Sequence, residues 1–84
     1  MFYADWCPFS QRFKPTFESF TNSTIYDVSF YGSTINDDDN PLWDRFSINT
    51  VPTLIAFYKG NIVSRRDSKM GRGLDKSHID SILN

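Results

Sequence analysis

Four phenylalanines set the frame of this chain. Phe9, Phe13, Phe17 and Phe20 recur at spacings of 4, 4 and 3. That rhythm puts all four rings on one stripe of an α-helix, whereas a strand would split them between its faces. The spacing predicts a helix over 8–21 with the core packed against its phenylalanine side. Pro15 falls inside it, removing one backbone hydrogen bond and kinking the helix without ending it, because the stripe continues beyond. Pro8 suits the first helical position, where a missing N–H costs nothing. Ahead of it, Met1 to Ala4 reads as a strand stub. The stretch from Phe2 to Gln11 is therefore a strand end, a tight turn and a helix start. The chain's single cysteine, Cys7, stands at the helix mouth.

Free backbone N–H groups and the helix dipole favour negative charge at such a place. A thiolate is the reactive form of cysteine, so Cys7 is a candidate nucleophile. Ser10, one turn on, can offer its hydroxyl to the sulfur. The competing reading is a lone, inert cysteine that only packs. One cysteine excludes a disulfide within the chain. It also excludes a zinc site built from several thiolates of one chain, and no metal site is expected. His78 stands alone, and a half-exposed helix position is expected for it.

The 84 residues fit one domain, 1–84, with a limited core. Aromatic residues make up 17% of the chain, and they supply much buried area per residue. A net charge of −1 gives no electrostatic case for nucleic acid. No apolar run approaches the roughly 18 residues of a membrane span, so no membrane partner is expected. No basic n-region precedes an apolar h-region, so no signal peptide is expected and a cytoplasmic setting is the default.

Beyond the first helix, Asn22-Ser23-Thr24 reads as a connection that also fits the N-glycosylation pattern by chance. Ile25 to Tyr31 reads as the second strand, with a bulge or an early end before Ile35 because the apolar residues do not share one parity. Asn36 to Asn40 is a solvated acidic loop. It lacks the further oxygen ligands of a calcium loop, and Asp39 or Asn40 is placed to cap a short helix, Leu42–Phe46, behind Pro41. Thr53 to Tyr58 is a strong strand, Lys59-Gly60-Asn61 a turn, and Ile62 to Arg66 the returning strand. Arg65, Arg66, Lys69, Arg72 and Lys76 read as a solvated edge rather than a partner patch, since Asp67 and Asp75 are interleaved. Gly71 and Gly73 mark a loop. Leu74 to Leu83 is the last helix, with Leu74, Ile79, Ile82 and Leu83 inward and weak capping near Asp75.

Trp6-Cys7-Pro8-Phe9-Ser10 resembles the Trp-Cys-x-x-Cys turn of the thioredoxin superfamily, with serine in place of the second cysteine. Pro15, eight residues after Cys7, is similar to the kink proline of that family. Asp39-Asn40-Pro41 before a short helix and Val51-Pro52-Thr53 are similar to two further family segments. The resemblance implies an α/β thioredoxin-like fold: a four-stranded mixed sheet with helices on both faces, and the N-terminal strand and helix of a full thioredoxin missing. It implies a cis peptide before Pro52, a Val51 backbone that pairs with substrate, and a glycine, best matched by Gly71, that leaves room beside the cysteine turn. Met1 stands where the family usually has a buried acid that serves the second cysteine; both are absent. Monothiol glutaredoxins share the Cys-x-x-Ser pattern but usually have glycine at the Pro8 position and no counterpart of Trp6.

The resulting expectation is a monothiol thiol–disulfide exchange domain. Cys7 and Ser10 are the catalytic candidates, and Trp6, Pro8, Val51, Pro52 and Gly71 the substrate-binding ones. Cys7 would form a mixed disulfide with a protein or peptide, and Ser10 could not resolve it. Glutathione or another thiol would then act as co-substrate, with no bound cofactor and a monomeric chain. Two alternatives stand beside it. One is a redox-inactive module that keeps the fold to dock peptides. The other is a dithiol protein whose second cysteine was replaced by serine.

Overall fold

The computed structural model describes residues 1–22 and 28–83. In chain order the elements are β1 (Phe2–Tyr3), α1 (Pro8–Thr21), β2 (Ser33–Thr34), α2 (Leu42–Arg45), β3 (Thr53–Tyr58), β4 (Asn61–Asp67) and α3 (Lys76–Leu83). The strands form one sheet in the order β2-β1-β3-β4. β1 runs parallel to β2 and antiparallel to β3, and β3–β4 is an antiparallel hairpin. The sheet is thus mixed and four-stranded, as the resemblance implied.

Two apolar clusters occupy its two sides. Phe13, Phe17 and Phe20 of α1 pack with Leu54, Leu74 and Ile79, so α1 and α3 cover one face. Ala4, Cys7, Ile35, Ile48 and Val51 form the second cluster, with Phe2, Leu42, Trp43 and Phe46 against it on the α2 side. Period-two alternation along the strands explains the division. Ile55 pairs with Arg65, whose guanidinium donates to the Phe46 carbonyl beside α2 at 2.7 Å. Leu54 pairs with Arg66, which reaches the other way and donates to Ser81 Oγ of α3 at 3.0 Å.

The helix over 8–21 is present with Pro15 inside it. The second strand lies later than its composition suggests. Of the expected span, 25–27 fall outside the described residues, as does Ser23-Thr24. Val28–Gly32 lie outside any strand, and pairing with β1 occurs at Ser33–Thr34. The register is decided by burial: Ile35 is fully buried and its N–H donates to the Tyr3 carbonyl at 2.8 Å. Gly32 permits the approach, since a Cβ there would sit 3.2 Å from the Tyr3 ring. Phe30 turns instead to the α1 side, edge-on to Phe17 at 6.0 Å.

The hairpin turn is two residues rather than three. Lys59 and Gly60 both have positive φ (51° and 82°), as a mirror-type turn requires, and Asn61 already belongs to β4. The short helix ends at Arg45, with Asn40 Oδ1 accepting from the Leu42 N–H at 2.9 Å.

The last helix begins at Lys76, two residues later than its apolar pattern suggests, because Gly73 turns the chain (φ 74°) and Asp75 caps. Asp75 Oδ1 accepts from the Ser77 N–H at 2.9 Å, and the Asp75 N–H donates to His78 Nδ1 at 2.9 Å. The return bond is that of a capping box with histidine in the usual place of glutamate, while the cap side chain binds the N–H of Ser77 rather than that of His78. The Ser77 hydroxyl first, and then its backbone N–H and the nearby His78, hold the Asp75 carboxyl below its ordinary range. A carboxyl lowered by folding stabilises the fold above its unfolded pKa and loses that contribution as pH falls through the folded value. Asp75→Ala is therefore expected to lower the urea midpoint slightly at neutral pH. The difference from the parent protein should shrink on acidification through the carboxylate range. A gap that stays constant with pH would remove Asp75 from this role.

Candidate active site

β1 delivers the chain into a turn that is held on every side. The Cys7 N–H donates to the Ala4 carbonyl at 3.1 Å, closing the turn, and the Cys7 carbonyl accepts the Gln11 N–H at 3.0 Å, starting α1. Asn36, at the end of the neighbouring parallel segment, clamps the outer side. Its Oδ1 accepts from the Asp5 N–H (2.8 Å), its Nδ2 donates to Asp5 Oδ2 (3.0 Å), and its carbonyl accepts the Trp6 indole N–H (2.8 Å). Gln11 Nε2 donates to the Asp5 carbonyl at 2.6 Å. Composition identified Asn36 only as part of an acidic loop; its clamping role depends on which strand pairs with β1.

Cys7 is the N-cap residue of α1, with extended backbone (φ −89°, ψ 122°) and no cap bond from its own side chain. The free N–H groups of the first turn therefore lie at the sulfur's end of the helix. The thiol is 8% exposed, and it donates to the Val51 carbonyl at 3.6 Å. The Val51–Pro52 peptide is cis, and both residues are buried. Cys7 and the Val51-Pro52 loop, far apart in sequence, are thus in direct contact.

Ser10 behaves differently from the expectation. Its hydroxyl accepts from the Ala4 N–H at 3.3 Å and it is 1% exposed. Among the described residues it makes no hydrogen bond to the Cys7 sulfur. The turn directs Ser10 inward, under β1, where it satisfies a buried backbone donor.

Trp6 and Pro8 are exposed beside the thiol and form the outer lip of the turn. The loop after β4 forms the other lip. Its Ser68 N–H donates to the Pro52 carbonyl at 3.1 Å, and Lys69 pairs with Gly73 across the loop. Gly71 is exposed, with open space where a Cβ would stand. Gly73 is the glycine that abuts the helix: a Cβ there would lie 2.9 Å from the Phe9 ring and 2.8 Å from Arg12 Nη2. Only its place directly before the buried Leu74 hints at this in the sequence. Arg12 is the other residue that the sequence did not single out. It lies over the Phe9 ring at 5.3 Å and donates to the Arg72 carbonyl at 2.5 Å.

No described helix is long and apolar enough to cross a membrane. The thioredoxin family model matches residues 1–84. A thioredoxin of Porphyra purpurea is 32% identical over 84 residues, covering 99% of this chain and 73% of the relative. Endoplasmic reticulum resident protein 44.2 of Caenorhabditis elegans is 29% identical over 68 residues. A 5'-adenylylsulfate reductase-like protein 5 of Oryza sativa subsp. japonica is 32% identical over 64 residues. These two alignments cover 76% and 75% of this chain but only 16% and 21% of the relatives' own lengths. A single cysteine at the mouth of α1, a cis-proline loop against its sulfur, a four-stranded mixed sheet and a family match over the whole chain lead to one conclusion: this chain belongs to the thioredoxin family.

Proposed function

We propose that the domain carries out monothiol thiol–disulfide exchange through Cys7. The observation that carries this reading is the Cys7 sulfur at the start of α1, in contact with the Val51 carbonyl. Loss of the thiol proton to solvent ends the bond to Val51 and leaves a thiolate facing the free N–H groups of the helix. That sulfur attacks one sulfur of a substrate disulfide. A Cys7–substrate S–S bond forms, the substrate S–S bond breaks, and the leaving sulfur departs as a thiolate that takes up a proton. The freed Val51 carbonyl can then accept a backbone N–H of an extended substrate segment.

Release needs a second thiol. Ser10 cannot supply it, since a hydroxyl does not attack a disulfide at neutral pH, and its oxygen is engaged with Ala4. Glutathione or a substrate thiol attacks the mixed disulfide, takes the substrate half into a new disulfide and returns Cys7. Such a cycle suits isomerisation or retention of partners. Two relatives, a thioredoxin and a 5'-adenylylsulfate reductase-like protein, support a redox reading.

The test is intact mass spectrometry of the folded protein after incubation with a symmetrical peptide disulfide. The expected product is the protein plus one peptide half, reversed by glutathione and absent in Cys7→Ala. Folded protein that gains no adduct, while the urea-unfolded chain does, would make Cys7 a packing residue.

A further inference from the structure

The cations that follow the hairpin do not behave as one group. Arg65 is ion-paired with Asp67 at 2.6 Å, Lys76 lies 3.9 Å from Asp80, and Arg66 is spent on Ser81, Ser64 and the Arg65 carbonyl. Lys69 and Arg72 are left. Both are exposed, and neither is ion-paired among the described residues. The fold adds a third cation from a distant part of the sequence. Arg12, one turn into α1, reaches the Arg72 carbonyl, and its guanidinium stacks over Phe9 without a carboxylate partner among the described residues.

Their place in the molecule matters. The loop that carries Lys69 and Arg72 is tied at one end to Pro52, through Ser68, and at the other to Phe9 and Arg12, through Gly73. It therefore runs along the side of the site bounded by the Val51-Pro52 loop and the first turn of α1. The opposite side carries Asp5, whose carboxylate accepts from Asn36 Nδ2, beside the Trp6 indole that donates to the Asn36 carbonyl. A chain with net charge −1 thus places three cations, without an ion-pair partner among the described residues, along one lip of its thiol and the Asp5 carboxylate along the other. Bound Arg12 is also partly preorganised, so an anion meeting it orders little further.

We propose that Arg12, Lys69 and Arg72 form an anion-recognising lip that selects substrate segments carrying aspartate or glutamate next to the reactive cysteine. The assignment rests on the exchange reading above and names its substrate class. Arg offers a planar fork to a carboxylate and Lys a mobile point charge, so the lip can follow an acidic side chain at more than one position. The field acts chiefly on encounter, and such effects fall with ionic strength.

The experiment compares three symmetrical peptide disulfides of equal length, each with glutamate, glutamine or lysine flanking the cysteine, at low and high salt. Rates of adduct formation are read by mass spectrometry. The expected order is acidic, neutral, basic, with about a tenfold span between acidic and neutral at low salt that narrows as salt rises. Lys69→Gln/Arg72→Gln, whose side chains make no bond among the described residues, should reduce the acidic-to-neutral ratio towards one, and adding Arg12→Gln should complete the loss. In parallel, binding of the reduced, alkylated peptides to Cys7→Ala is followed by fluorescence anisotropy. Equal rates for all three peptides overturn the lip while leaving exchange intact. Absence of any adduct overturns exchange, and the anisotropy order then decides the lip by itself: acidic preference sustains it, and equal or absent binding overturns it.

Discussion

Phe13→Ala is expected to remove about 3–5 kcal/mol of stability. Phe13 is 1% exposed and sits at the middle of the α1 stripe, packed with Phe17, Phe20, Leu54, Leu74 and Ile79. Truncation removes a ring from contacts with α3 and β3 together and leaves a cavity that this close-packed cluster fills poorly. For an 84-residue domain, total stability on the order of 0.05–0.15 kcal/mol per residue makes that loss a large share of the whole. Urea titration followed by tryptophan fluorescence measures it, with Trp6 and Trp43 as reporters. A loss below about 1 kcal/mol would mean that the helix is not anchored by this face. The site should fail with the fold, since the N-terminus of α1 holds Cys7 only while α1 is docked.

The second large effect concerns Ser10. Ser10→Cys is expected to shorten the lifetime of the Cys7 mixed disulfide by at least about 100-fold, because an attacking thiol within the same turn acts at high effective concentration. The product is then an internal disulfide between Cys7 and the introduced thiol, with the substrate thiol released. The domain should thereby gain the ability to reduce a protein disulfide when supplied with a reductant. The substitution exchanges a hydroxyl acceptor for a weaker sulfur one beneath the Ala4 N–H, so some stability is lost. Adduct decay is followed by quenching and mass spectrometry. Unchanged decay in a folded variant would place residue 10 out of reach of the sulfur and remove the serine as the cause of monothiol behaviour.

Much of this was legible from periodicity. The 4, 4, 3 rhythm of the phenylalanines placed α1 to the residue, because a buried face and a helix-compatible spacing agree there. The β3–β4 hairpin was equally plain, since a run of branched and aromatic residues meets a glycine turn. The second strand was not: Val28, Phe30 and Tyr31 have strand composition, yet pairing depends on where Ile35 can be buried, which is a tertiary fact. The site divides in the same way. Cys7, Val51 and Pro52 were readable because their residue types are demanding. Ser10 turned inward for a reason set by the Ala4 N–H. Gly73 and Asn36 act through neighbours distant in sequence, and so does Arg12 in its bond to the Arg72 carbonyl, so spacing along the chain carries little trace of them.

The adjacent arginines of β4 imply a safeguard on assembly. Arg65 serves the layer beneath α2 and Arg66 the layer beneath α3, and their hydrogen-bond partners differ accordingly. A hairpin that closed one residue out of step would send each guanidinium to the wrong layer and strand both from their acceptors. Should β3 turn over in place of β4, Leu54 would move from the α1–α3 cluster to the other face. Either misalignment is therefore penalised, by polar terms on β4 or apolar ones on β3, and the two-residue turn at Lys59-Gly60 needs to supply only part of the discrimination.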